Sequence, residues 1–310
     1  MQDLSRLTTE QRNHRTRNID RLSPLQIVEL INSEDARVIS AVRSQRRQIA
    51  ATVALVTTAF RAGGRLIYVG AGTSGRLGVL DAAECPPTFG TEPGLVQGII
   101  AGGNKALVRS VEGAEDRPEP GAQAINAKRL TKNDVLVGIA ASGRTPFVEG
   151  ALARAHQRGA KTVLITCSKD PDAARWADIV INPITGPEVI TGSTRMKAGT
   201  ATKLVLNTIT TAAMVKLGKV YGNLMVDLRA TNEKLRDRAQ RIVMTAAGVD
   251  RPTASRLLKE AQGRAKVAIV MHKVGIGYQE ALKRLAACGG SVRAALAKER
   301  KLRLHEGGKT

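Results

Sequence analysis

Apolar and polar positions follow two different periods along this chain. From Leu66 a short apolar run bounded by glycines or polar turns recurs five times: Leu66–Val69, Leu95–Ile100, Val135–Ala140, Thr162–Ile165 and Ile179–Ile181. Runs of this length between turn residues read as buried strands. Helix-length segments lie between them, at 104–112, 119–130 and 146–158. Strands alternating with helices predict an α/β domain with a doubly wound, mostly parallel sheet. A long helix from Met196 to about Lys219 follows the last strand.

Outside this region the period is helical. Residues 1–22 are polar and are expected to form a loose arm. Ser23-Pro24 is an N-cap followed by proline at the first helical position, predicting a short helix through Asn32. Ser33-Glu34-Asp35 then restarts a long helix to about Ala62, with Val38, Val42, Ile49, Val53 and Val56 on its apolar face. From about Ala230 there are no strand signals. Helices are expected at 232–247, 252–262, 264–273, 277–286 and 291–303, broken at Gly248, Gly263, Gly275 and Gly289-Gly290. The expected organisation is therefore an N-terminal arm and helices (1–50), an α/β domain (51–228) and a small helical subdomain (229–310).

Composition changes this picture little. The chain has 310 residues and is 43% hydrophobic, enough for a folded core. Aromatic residues are only 2%, which argues against a base-stacking surface. The net charge of +21 is concentrated in 229–310, which holds 19 basic and 7 acidic residues. With no nucleic-acid-binding motif to accompany it, this excess reads as a solvated basic exterior, and no nucleic-acid partner is expected. Cys85, Cys167 and Cys288 are widely spaced, so neither a disulfide framework nor a zinc site is expected. The polar N-terminus shows no signal sequence, and no 18-residue apolar run suggests a membrane span; a cytoplasmic protein is expected.

Four motifs could carry chemistry. Gly70-Ala71-Gly72-Thr73-Ser74-Gly75 follows a strand and opens a helix. Formally it is a dinucleotide fingerprint, but the next strand ends Ile100-Ala101-Gly102-Gly103, without the acid that would hold a ribose. Hydroxyls and N–H groups at a helix start suit a phosphate monoester better; a tight turn that merely needs glycines is the plain alternative. Ala141-Ser142-Gly143-Arg144-Thr145-Pro146 also follows a strand, and could aim the Ser142 and Thr145 hydroxyls at one point or simply cap a helix. Both loops leave the carboxyl ends of strands, where such sheets bind ligands. The third motif is acidic: Asp81-Ala82-Ala83-Glu84 and Glu112-Gly113-Ala114-Glu115-Asp116. Loop glutamates are usually solvated, but Glu84 lies among Val79, Leu80, Cys85, Pro86 and Pro87, and burial there would raise its pKa and suit it to donate a proton. The fourth, Thr191 to Thr200, opens a helix with Ser193, Thr194, Arg195 and Lys197. Cations in a first turn oppose the helix dipole, a mild cost that a bound anion would relieve; an ordinary capped helix is the alternative. The four histidines form no nucleophile or metal pattern.

On these blocks, together with Leu80 to Phe89, Val111 to Asp116 and Tyr221 to Asp227, the chain resembles the N-acetylmuramic acid 6-phosphate etherases of the sugar-isomerase (SIS) superfamily. The resemblance covers nearly the whole chain. It implies an SIS domain with a small C-terminal helical, UBA-like subdomain, a homodimer, and no metal or organic cofactor. It implies cleavage of the D-lactyl ether of N-acetylmuramic acid 6-phosphate to N-acetylglucosamine 6-phosphate and D-lactate. The family's two functional glutamates fall on Glu84 and Glu115, and the motifs above give Gly72, Thr73, Ser74, Ser142, Gly143, Thr145, Ser193 and Lys197 as the candidate sugar-phosphate contacts. Generic SIS phosphate loops often carry another hydroxyl where Ala140 stands here.

Elimination followed by hydration needs a base for the C2 proton and an acid for the lactate oxygen, so two carboxylates suffice. The resemblance and the apolar surround both put Glu84 forward as acid; Glu115 is then the base. If the helix after the first loop ran unbroken, Glu84 would stand roughly 15 Å from Ser74 at 1.5 Å per residue, too far for one sugar. Either that helix ends before the prolines or Glu84 serves a site shared with a second subunit. Two rivals share the superfamily. A non-catalytic regulator similar to the glucokinase regulatory proteins would carry two such domains in a longer chain. An SIS transcriptional regulator would need about 80 residues of DNA-binding domain in front, where only about 50 precede the α/β region.

Overall fold

The computed structural model describes residues 7–228 and 232–297. Ser23 caps the first helix as expected: Gln26 N–H donates to its Oγ and Ser23 N–H donates to Gln26 Oε1, with Pro24 at the first position. That helix, α1 (Pro24–Ser44), does not stop at Asn32. The Ser33 hydroxyl accepts from Arg15 Nη2 at 2.9 Å instead of capping a new helix, and Glu34 is buried inside the run. The break comes at Gln45, after which α2 (Arg46–Arg61) begins.

The expected strands and their alternation with helices appear. In order they are β1 (Leu66–Gly70), α3 (Gly72–Phe89), β2 (Val96–Ile100), α4 (Pro118–Ala127), β3 (Val135–Ile139), α5 (Pro146–Gln157), β4 (Lys161–Ile165), β5 (Ile179–Ile181) and α6 (Lys197–Lys216). The segment expected to be helical at 104–112 is a short 3-10 helix, Gly103–Leu107, followed by turns. All pairings are parallel, in the order β2-β1-β3-β4-β5. Strands β1 and β3 are buried at every position. Their Ile67, Val69 and Leu136 pack with Ile125, Phe147, Val148, Leu152 and Leu164. Each large side chain buried this completely contributes about 1.5–3 kcal/mol.

The chain divides into two compact units: Met1–Ala83 with Pro93–Thr210, and Glu84–Glu92 with Thr211–Thr310. In the second, α7 (Glu233–Ala247), α8 (Arg251–Glu260), α9 (Ala265–Val274), α10 (Tyr278–Ala287) and a helical stretch at 292–297 enclose Val243, Ala268, Ile269, Val270 and Ala281. The remainder of the helix expected to 303 lies outside the described residues. Among the described residues no helix is long and apolar enough to cross a membrane.

The expected loose arm is instead packed in its described part. Asn13 donates to Glu34 Oε2 (2.8 Å) and to the Pro187 carbonyl, and Thr16 donates to the Val189 carbonyl at 2.7 Å. Buried polar groups tie down a segment whose composition alone suggested no partner.

Candidate active site

The first and second loops leave β1 and β3 side by side. Gly70 and Ile139 are register partners at the carboxyl ends of two adjacent parallel strands. This is the point where strand order reverses, and so where such sheets open a crevice. Two glycines bring α3 onto the strand: a Cβ on Gly75 would lie 2.7 Å from the Gly70 carbonyl oxygen and 2.6 Å from Ile100 Cγ1. Gly72, at φ +50°, has open space where a side chain would stand. Close packing therefore explains Gly70 and Gly75, while Gly72 leaves the loop surface clear.

Below the first loop, α3 is held by a buried polar group. Asp81 accepts from Tyr68 Oη (2.9 Å), Asn207 Nδ2 (2.7 Å) and Thr210 Oγ1 (3.1 Å), linking α3 to β1 and α6. This acid is satisfied structurally and is not a candidate for proton transfer.

In the second loop Gly143, at φ +75°, packs so tightly that a Cβ would sit 2.4 Å from Pro171 Cβ. Ser142 Oγ accepts from Arg144 N–H at 3.3 Å. Thr145 precedes α5, without a capping hydrogen bond from its side chain.

Glu115 adjoins both loops. Its carbonyl accepts from Phe147 N–H at 3.1 Å, tying it to the start of α5. Its segment, Ser110 to Asp116, also closes a cleft of about 210 Å³ whose other wall is Ala71, Gly72 and Arg76. Burial, and then the neighbouring charges of Asp116 and Glu112, raise the Glu115 carboxyl above its usual range, although the residue is exposed at the surface.

Glu84 does not meet its expectation. The apolar surround in sequence implied burial, but the residue is exposed, because its neighbours turn Ala82 and Cys85 inward and leave Glu84 on the open side of α3. Nor does α3 end before the prolines. It continues through Pro86 and Pro87 to Phe89, although these remove the N–H donors that the carbonyls of Ala82 and Ala83 would otherwise receive.

The fourth motif adjoins the first: a Cβ on Gly199 would lie 3.4 Å from Thr73 Cγ2. Ser193 is half-buried before the start of α6. Lys197, expected on the phosphate, lies buried in this structure. Its side chain is fully enclosed, with Nζ 2.6 Å from Glu34 Oε2. The expected opening for an anion at this helix is also filled, since Glu188 accepts from Lys197 N–H (3.0 Å) and Ala198 N–H (2.9 Å). Burial pushes Glu188 up, outweighing these bonds. Burial also opposes ionisation of Glu34, but hydrogen bonds from Lys197 and Asn13 and the charges of Lys197 and Arg37 outweigh it and hold Glu34 below its usual range. In sequence Glu34 stood only in an expected helix start and Glu188 carried no signal; Glu34 acts on Lys197, 163 residues along the chain. Among the described residues no group of three or more His, Cys, Asp or Glu could hold a metal ion.

Comparison with known proteins gives this geometry a context. Residues 48–156 match the glucokinase regulatory protein N-terminal SIS domain, and residues 118–212 match the SIS domain. The chain is 54% identical to the N-acetylmuramic acid 6-phosphate etherase of Mycolicibacterium smegmatis over 95% of its own length and 99% of that protein's. It is 55% identical to the enzyme of that name from Geobacillus thermodenitrificans, over 94% and 99%. A solved phosphoheptose isomerase from Francisella tularensis superposes with a TM-score of 0.51 at 17% identity, covering 63% of this chain and all of that one, which shows the shared fold.

Proposed function

The chain belongs to the N-acetylmuramic acid 6-phosphate etherases, and from that premise we propose how it works. It cleaves the D-lactyl ether of N-acetylmuramic acid 6-phosphate, giving N-acetylglucosamine 6-phosphate and D-lactate, as a carbon–oxygen lyase of amino-sugar metabolism. The observation that carries this reading is identity above 50% over almost the full length of such enzymes. The match to a regulatory protein's SIS domain covers residues 48–156 and lends no support to a non-catalytic role.

The phosphate sits against Gly72, Thr73 and Ser74 at the start of α3 and Ser142, Gly143 and Thr145 before α5, with Ser193 nearby. N–H groups, hydroxyls and the helix dipoles converge there on a doubly charged group. Lys197 serves the fold through Glu34.

In the open-chain sugar the C1 aldehyde acidifies C2–H. Glu115 removes that proton; a carboxylate held above its usual range is a stronger base. The C3–O bond breaks as Glu84 gives its proton to the departing lactate oxygen. Water then adds to C3 of the unsaturated aldehyde, its proton returning to Glu84, and Glu115 returns a proton to C2. Both carboxyls end as they began, and one water is consumed.

The continuous run of α3 to Phe89 supports the reading in which Glu84 serves a site shared across a homodimer. The protein acts in the cytoplasm, in recycling of cell-wall amino sugars.

The test is D-lactate release from N-acetylmuramic acid 6-phosphate by purified protein. Release should fall by about 10²–10⁴-fold in Glu84→Gln and likewise in Glu115→Gln, as for loss of a general acid or base. No release by the unaltered protein would end the etherase reading. Mixing the two inactive variants through a cycle of dissociation and reassociation tests sharing: random exchange of a shared-site dimer restores about a quarter of the activity. No recovery on exchange would place both glutamates in one chain's site.

A further inference from the structure

Arg76 directly follows the first motif, in α3, and has no part in the chemistry above. Among the described residues it is the one cation lining the cleft that Glu112, Glu115 and Asp116 also line. Its Nε donates to the Leu107 carbonyl at 3.0 Å, which anchors the guanidinium against the Gly103–Leu107 turn. Among the described residues its terminal nitrogens make no hydrogen bond, and it forms no ion pair with the three acids. A guanidinium fixed at Nε and open at its outer edge offers two parallel donors, the fork that a carboxylate accepts.

The rest of the cleft is small and mixed: Ser110 and backbone line it together with Ala71, Ala101, Ala114 and Val111, which is 42% exposed. A substrate group entering here would meet small side chains such as Ala71 and Val111, one arginine and three like-charged acids. An anionic group could enter only by pairing with that arginine. The substrate proposed above has one carboxylate besides its phosphate, on a two-carbon branch bearing a methyl.

We propose that Arg76 is the specificity-determining residue of the reaction: it receives the lactyl carboxylate in a bidentate pair while Val111 packs against the lactyl methyl. This rests on the etherase reading and deepens it. The first and second loops hold what all hexosamine 6-phosphates share; Arg76 reads what distinguishes the ether from its product.

The experiment compares two sugars on one variant. N-acetylglucosamine 6-phosphate carries the same phosphate and acetamide but no lactyl group. In Arg76→Gln the KM for N-acetylmuramic acid 6-phosphate should rise about tenfold or more, the worth of a charged hydrogen bond, while inhibition by N-acetylglucosamine 6-phosphate stays within about twofold. Arg76→Lys keeps the charge without the fork and should recover part of the loss. Equal weakening of both sugars would assign Arg76 to the phosphate or to the loop and overturn the proposal, as would no change in either. Equilibrium binding of both sugars in a Glu84→Gln background repeats the comparison without turnover. Absence of lactate release from the unaltered protein fails the etherase reading instead, and the binding comparison still decides Arg76.

Discussion

Two helix starts in this molecule look alike in sequence and differ in use. Both α3 and α6 carry hydroxyls and glycines in or just before their first turn, and both could receive an anion. At α6 the protein supplies the anion itself: Glu188 accepts from the N–H groups of Lys197 and Ala198, and Lys197 turns inward to Glu34. At α3 no side-chain hydrogen bond reaches Thr73 or Ser74 among the described residues, and the surface over Gly72 is clear. A helix start is an anion site in either case. What distinguishes a binding site from a structural joint is whether a carboxylate of the same chain already fills it.

The comparison breaks most visibly at Lys197. Lys197→Met leaves Glu34 buried without its nearest cation. Removing one partner of such a pair costs about 3 kcal/mol here, the low end of the usual range, because Asn13 and Arg15 still reach Glu34. Urea unfolding should show that loss, and Glu34→Gln added to Lys197→Met should recover much of it. KM per folded molecule should hardly change. A large KM rise at unchanged stability would return Lys197 to the phosphate site.

Ser74→Ala sharpens the other side. It should raise KM about tenfold with little loss of stability, because a hydroxyl facing ligand costs the fold little to remove. Stability loss without a KM effect would make the α3 start a joint like that of α6.

The smallest effect concerns pH. Glu115 must be ionised to act as a base, and its burial with Asp116 and Glu112 raises its pKa. The acid limb of kcat/KM should therefore lie above the ordinary glutamate value of 4.5. Glu112→Gln with Asp116→Asn removes the two repelling charges and should move that limb to lower pH. The sign follows for stability too: a raised carboxyl favours the fold below its unfolded pKa, and that contribution is lost as pH rises through the folded one.

The two glutamates repeat the lesson of the helix starts. Sequence marked Glu84 as the buried acid and Glu115 as an ordinary loop residue until resemblance singled it out. In the structure both are exposed, and Glu115 is the one whose carboxyl is raised, by partial burial of the group and the charges of Asp116 and Glu112. Proline and apolar neighbours in sequence do not bury a helical residue, since consecutive positions point to different sides. Only packing decides which side is covered.

What the sequence determined by itself was local. Short apolar runs specify five parallel strands, Ser23-Pro24 specifies the start of α1, and the glycines of the first loop specify the close approach of α3 to β1. Each depends on backbone conformation, capping or periodicity within a few residues. The continuation of α1 to Ser44, the docking of the arm and the burial of Lys197 depend on partners far along the chain, Glu34 and Lys197 being 163 residues apart. Buried polar groups must be paired, but sequence does not say with what. That choice is made only when distant segments meet in the folded core.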